Sequence, residues 1–161
     1  MKVKILVVAF ISLAAIGALG SSLGAQQAAA SQQAPAASST EPPRTVWDGI
    51  YTEEQAKRGG SLYSERCAKC HAPDLSGGEM APALASAEFK FNWSGLSVGD
   101  LFERVKISMP QDSPGSLSRQ QIADILAFVF SKNGFPAGTM ELAREAEVVK
   151  EIRFEATKPE R

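Results

Sequence analysis

Both cysteines and the single histidine of this 161-residue chain fall within five consecutive residues, Cys67-Ala68-Lys69-Cys70-His71. Three ordinary uses of such residues fit this run poorly. A structural zinc site takes four ligands, usually Cys or His, so a carboxylate would have to complete one here. A thioredoxin-like Cys-x-x-Cys pair stands beside a βαβ pattern, whereas residues 50–138 read as helical. A structural disulfide in an oxidising compartment is possible but gives His71 no role.

The Cys-x-x-Cys-His order reads instead as a site of covalent haem attachment. Two thiols three residues apart on one helical turn can reach the two vinyl groups of a haem and form thioethers. The next residue then offers its imidazole to the iron from the same side. The expected cofactor is one haem c, held through Cys67 and Cys70, with His71 as an iron ligand.

The first 25 residues have the plan of a secretory signal peptide. Lys2 and Lys4 precede an apolar run from Ile5 to Gly20, and small residues follow at Ser22, Gly24 and Ala25. The run is somewhat short for a membrane span of about 20 residues, so an uncleaved anchor is the lesser expectation. Export implies a periplasmic location. Residues 26–49 read as a disordered linker rich in Ala, Gln, Ser and Pro, with too little apolar surface to offset ordering entropy.

Residues 50–138 form one small domain, and residues 139–161 a charged tail. The whole chain has 17 Lys+Arg and 18 Asp+Glu; cleavage after Ala25 removes Lys2 and Lys4, leaving 15 − 18 = −3. No basic excess suggests a nucleic-acid partner, and a membrane partner follows only if the leader is retained. A domain this small is marginal alone, so a large apolar cofactor at its centre would supply missing core.

Three cap signals mark the helices. Thr52-Glu53-Glu54-Gln55 reads as a capping box opening a helix that runs toward Cys67. Gly59-Gly60 in its middle costs about 1 kcal/mol per glycine relative to alanine, which points to close approach of another backbone or ring. A short helix is expected within 81–91. Ser97-Val98-Gly99-Asp100 opens another, which ends at Met109 because the residue before Pro110 avoids the α region. Ser118-Arg119-Gln120-Gln121 opens the last, with Ile122, Ile125, Leu126 and Val129 on one buried face and Asn133-Gly134 at its end. The tail reads as a short helix and an extended piece, docked on its own domain or on a partner.

Helix, Cys-x-x-Cys-His, loop, Met-Pro and C-terminal helix, in that order over residues 50–138, resemble the class I c-type cytochromes. The resemblance implies an all-α fold with crossed N- and C-terminal helices around one covalent haem, and contact of Gly60 and Tyr63 with Phe128 or its neighbours. It implies His71 as the proximal ligand and Met109, in its Met-Pro loop, as the distal one; Met80 and Met140 are the other methionines of the mature chain. Pro82-Ala83-Leu84 resembles the family segment whose proline carbonyl accepts the histidine ring N–H and whose leucine packs on the haem. Trp93 resembles a tryptophan that donates to a haem propionate.

The function so implied is periplasmic one-electron transfer, with two protein side chains filling the axial positions. The expected partners are redox proteins. Residues 108–118 resemble haem subunits that accept electrons from a periplasmic quinoprotein dehydrogenase, and a terminal oxidase is the other partner class. The alternative is a haem enzyme or gas sensor with an open or labile distal site.

Overall fold

The computed structural model describes residues 43–160, all within one compact unit. The leader and most of the expected linker lie outside the described residues. Among the described residues six helices follow in order: α1 Glu53–Arg66, α2 Ala68–His71, α3 Ala87–Trp93, α4 Val98–Ser108, α5 Arg119–Lys132 and α6 Ala146–Val149. Among the described residues there are isolated bridges but no strands, so the fold is all-α. No helix there is long and apolar enough to cross a membrane.

Local sequence explains where the helices begin. Ser97 and Ser118 make full capping boxes with Asp100 and Gln121. Thr52 caps α1 by accepting from the Gln55 backbone N–H, but the Gln55 side chain does not complete the expected box. It is buried and clasps Leu142 instead: Nε2 donates to the Leu142 carbonyl at 3.1 Å and Oε1 accepts from the Leu142 N–H at 2.7 Å. Two satisfied backbone groups in the interior outweigh one exposed cap. Gln55→Ala should therefore cost about 1–3 kcal/mol, the penalty for unsatisfied buried groups, read from denaturant unfolding of the haem-loaded protein. The short helix expected within 81–91 starts later, at Ala87, because the Ser86 side chain caps it by accepting from Phe89 N–H at 3.0 Å.

α1 and α5 pack at the glycine pair. A Cβ on Gly59 would stand 1.8 Å from the Asp124 carbonyl oxygen, and one on Gly60 would stand 3.2 Å from the Phe128 ring. Tyr63 lies against the same ring, with centroids 5.2 Å apart. Arg58 bridges Asp124 and Glu141, tying α1 to both α5 and the tail. The buried face of α5 carries Ile122, Ile125, Leu126 and Val129, with Ala123, Asp124, Ala127 and Phe130 beside them.

The packed unit extends past residues 50–138 on both sides. Val46 and Phe154 are both fully buried. Phe154 packs edge-on against Phe89, Phe130 and Phe135 at 5.3–6.1 Å, and such pairs contribute about 0.5–1.5 kcal/mol each beyond area burial. The tail backbone also pairs with the turn before α4, through Gly95 N–H to Phe154 O, Phe154 N–H to Leu96 O, and Val98 N–H to Ile152 O. The docked alternative for the tail is thus the one observed.

Hydrogen bonds from the Ser97 backbone and hydroxyl hold the Asp100 carboxyl below its ordinary pKa. A carboxyl depressed on folding contributes stability that is complete above its unfolded value of about 3.9 and is lost as pH falls through the lower folded value. Ser97→Ala should therefore cost about 1 kcal/mol at neutral pH, with the difference from wild type narrowing below about pH 4. Thermal unfolding of both proteins across pH 2–7 checks this.

Candidate haem site

The end of α1 delivers the site. The Cys67 N–H donates to Tyr63 O at 2.8 Å, and Cys70 and His71 then fold back on the Cys67 carbonyl at 3.1 and 3.0 Å. One short turn, α2, thus carries Cys67, Cys70 and His71 together. The cysteines are not bridged. Burial pushes the Cys67 thiol up to about 11, the opposite of the depressed pKa that a thioredoxin-type nucleophile needs. Among the described residues no three His, Cys, Asp or Glu side chains gather into a metal-binding cluster, so no carboxylate completes a zinc set there.

The His71 ring is oriented from outside its own turn. Its Nδ1 lies 2.8 Å from the Pro82 carbonyl oxygen. A carbonyl can only accept, so the proton sits on Nδ1 and the Nε2 lone pair remains for a metal. His71 is buried, and Pro82 belongs to the loop that folds back over it.

That loop is held by several devices. Ala72 and Leu75 have φ of +64° and +63°, a strained region for residues with a Cβ. Gly77 has φ +74°, and a Cβ there would stand 2.5 Å from Ala83 N and 2.6 Å from Pro82 C, so only glycine lets the Pro82 segment pass this close. The Leu84 N–H closes the loop on Leu75 O at 2.8 Å. The Tyr63 hydroxyl donates to Ala72 O at 2.7 Å. Burial raises its pKa to about 12, so it stays a donor at neutral pH.

Met109 is the C-cap of α4, half-buried, with its N–H on Val105 O at 2.9 Å. The loop after it turns through Pro110 O to Ser113 N–H and is tied to α1 by Arg66, which donates to Ser116 Oγ at 3.1 Å. Leu84 packs half-buried against the core. Trp93 ends α3 with its ring 6.4 Å from Phe89, and among the described residues its indole N–H has no protein acceptor. Two groups that sequence reasoning did not place at the site, Gly77 and the α5-capping Asn133, both act on the Pro82–Leu84 segment. The glycine run at 77–78 was a signal for the first; no local signal marks the second.

The donor set fits a covalently held haem. Two unbridged thiols and an imidazole with one nitrogen already satisfied share a single turn. Between His71 and Met109 in sequence, four large apolar side chains are exposed: Met80 at 74%, Phe91 at 78%, Leu96 at 45% and Ile107 at 67%.

The family comparison agrees with this chemistry. The family profile described as "Cytochrome C oxidase, cbb3-type, subunit III" matches residues 54–129. A chain of the crystal structure of the sulfane dehydrogenase SoxCD from Paracoccus pantotrophus is similar at 22% identity and a TM-score of 0.46, covering 67% of this chain. The match spans 61% of that structure's chain. No curated protein matches. Over the matched residues 54–129, the attachment turn, the all-α fold and the profile agree on a class I c-type cytochrome domain, whose chemistry is haem-based electron transfer.

Proposed function

We propose that this chain is an exported, periplasmic one-electron carrier. It holds one haem c through Cys67 and Cys70, with His71 and Met109 as axial ligands. The observation that carries the reading is the His71 ring, fixed by the Pro82 carbonyl at 2.8 Å with Nε2 left to ligate. When bound, the haem supplies reversible one-electron chemistry at iron.

The polypeptide's part is to hold and tune. The Pro82 carbonyl fixes the His71 tautomer and raises the basicity of Nε2. The Met109 thioether is a soft, neutral ligand that favours the ferrous state. The Trp93 indole N–H is a donor for an anionic propionate, and Leu84 supplies apolar packing. With His71 and Met109 both holding the iron, no position would remain for a substrate, which separates this reading from a haem enzyme or gas sensor.

Residues 1–25 direct export, and the Ala/Gln/Ser/Pro-rich segment expected to end at residue 49 acts as a spacer only up to about Arg44, because Thr45 and Val46 are buried in the packed unit. The donor and acceptor are redox proteins of the same compartment, a quinoprotein dehydrogenase or a terminal oxidase, met through small transient interfaces. The resemblance of residues 108–118 supports the first.

Ferric spectra of wild type and Met109→Ala test the distal ligand. The wild type should be low-spin, with the weak long-wavelength sulfur-to-iron band, and the variant should lose that band. A five-coordinate, high-spin wild type at neutral pH would end the carrier assignment.

A further inference from the structure

Asn133 stands at the end of α5, 49 residues from the loop that holds His71, and its side chain reaches that loop. Its Nδ2 donates to Leu84 O at 2.7 Å and to Val129 O at 2.9 Å. Its Oδ1 is buried and has no hydrogen-bond partner among the described residues. A buried acceptor left unsatisfied is destabilising, so what the amide gains elsewhere must offset that cost.

Capping α5 does not account for it. The end of α5 is closed by its backbone: Asn133 N–H meets Val129 O and Phe130 O at 3.1 Å each, Gly134 N–H meets Ser131 O at 3.2 Å, and Phe135 N–H meets Phe130 O at 3.1 Å. Val129 O therefore already has a donor. The contact that nothing else supplies is the one to Leu84 O. Leu84 is thereby pinned on both sides, its N–H by Leu75 O and its carbonyl by Asn133. Two residues before it, Pro82 presents its carbonyl to the His71 ring.

We propose that Asn133 is a positioning residue for His71: by anchoring the Leu84 carbonyl to α5, it sets how firmly the Pro82 carbonyl grips the His71 ring N–H. This rests on His71 being the iron ligand. A firmer grip makes the imidazole more basic and favours ferric iron. Loss of the Asn133 anchor should weaken that grip and shift the couple toward the ferrous state, raising the midpoint potential.

The test uses haem-loaded full-length wild type, Asn133→Ala and Ser131→Ala. Ser131 donates from Oγ to Phe128 O at 2.7 Å, so its variant disturbs the same helix end without touching Leu84. Two quantities are read: the midpoint potential, and exchange of the His71 Nδ1–H by NMR in the reduced protein. Outer-shell partners of metal-bound histidine are worth about 10–100-fold, and Asn133 acts one link further out. Asn133→Ala should shift the ferric-to-ferrous equilibrium by about threefold to tenfold and speed proton exchange by at least as much. Ser131→Ala should leave both at wild-type values. If Asn133→Ala does not accumulate with haem, Asn133→Ser, which keeps one donor, is read on the same two scales.

Wild-type potential and exchange in the Asn133 variant, with only its melting temperature lowered, would overturn the proposal and leave Asn133 as a helix cap. Wild-type protein lacking covalent haem would instead remove the reading beneath it, and the proposal with it.

Discussion

Replacing Cys67 and Cys70 together by serine should yield a polypeptide that retains no haem through acid–acetone extraction and has lost most of its cooperative thermal transition. Four large apolar side chains between His71 and Met109 stand exposed on the polypeptide alone. Burying two large apolar side chains is worth about 3–6 kcal/mol, so apolar surface covered by a haem on this scale would be a large share of the total stability of about 5–15 kcal/mol for an ordinary domain. Circular dichroism and calorimetry of the double variant beside wild type provide the measurement. An unchanged, sharp transition would mean that the helices and tail suffice without the cofactor.

Gly59→Ala should be among the most damaging alanine substitutions at the described glycines. The new Cβ would meet the Asp124 carbonyl at 1.8 Å and its carbon at 2.4 Å. Both are backbone atoms of α5 and cannot swing away, so the helices must separate. The expected loss is at least about 3 kcal/mol, the upper end of overpacking costs. Gly60→Ala is the informative neighbour. Its Cβ meets only the Phe128 ring, at 3.2 Å, and that side chain can yield. The helix propensity gain of about 1 kcal/mol should leave Gly60→Ala close to wild type. Equal losses in the two variants would show that α1 and α5 pack differently from this description.

These two glycines also show what was legible in the sequence. A pair of glycines inside a well-capped helix announces a close approach, because the propensity cost has to be offset by packing. Ser97 and Ser118 announced their helices because a cap and its partner are three residues apart. The i, i+3, i+4, i+7 pattern of Ile122, Ile125, Leu126 and Val129 announced the buried face of α5 for the same local reason. The attachment turn is likewise five residues long.

Gln55 misleads because its local pattern completes a capping box, while its side chain is taken by Leu142, 87 residues away. Asn133 looks like a helix terminator and is one, yet its second bond crosses 49 residues to Leu84. The tail shows a similar limit. Leu142, Val149, Ile152 and Phe154 are too widely spaced to declare a face, but each is buried, because the surface they meet is assembled from α3, α4, α5 and the segment around Val46. Partners that only the folded chain brings together leave no periodicity to read.

Electron transfer by this domain depends on one porphyrin being joined to the turn at Cys67 and Cys70. The most direct measurement is the intact mass of the mature protein, expressed in a host able to install c-type haem and denatured before analysis. A mass exceeding that of the processed polypeptide by one haem, lost when the two cysteines are replaced, is the predicted result. A mass equal to the bare polypeptide would contradict it.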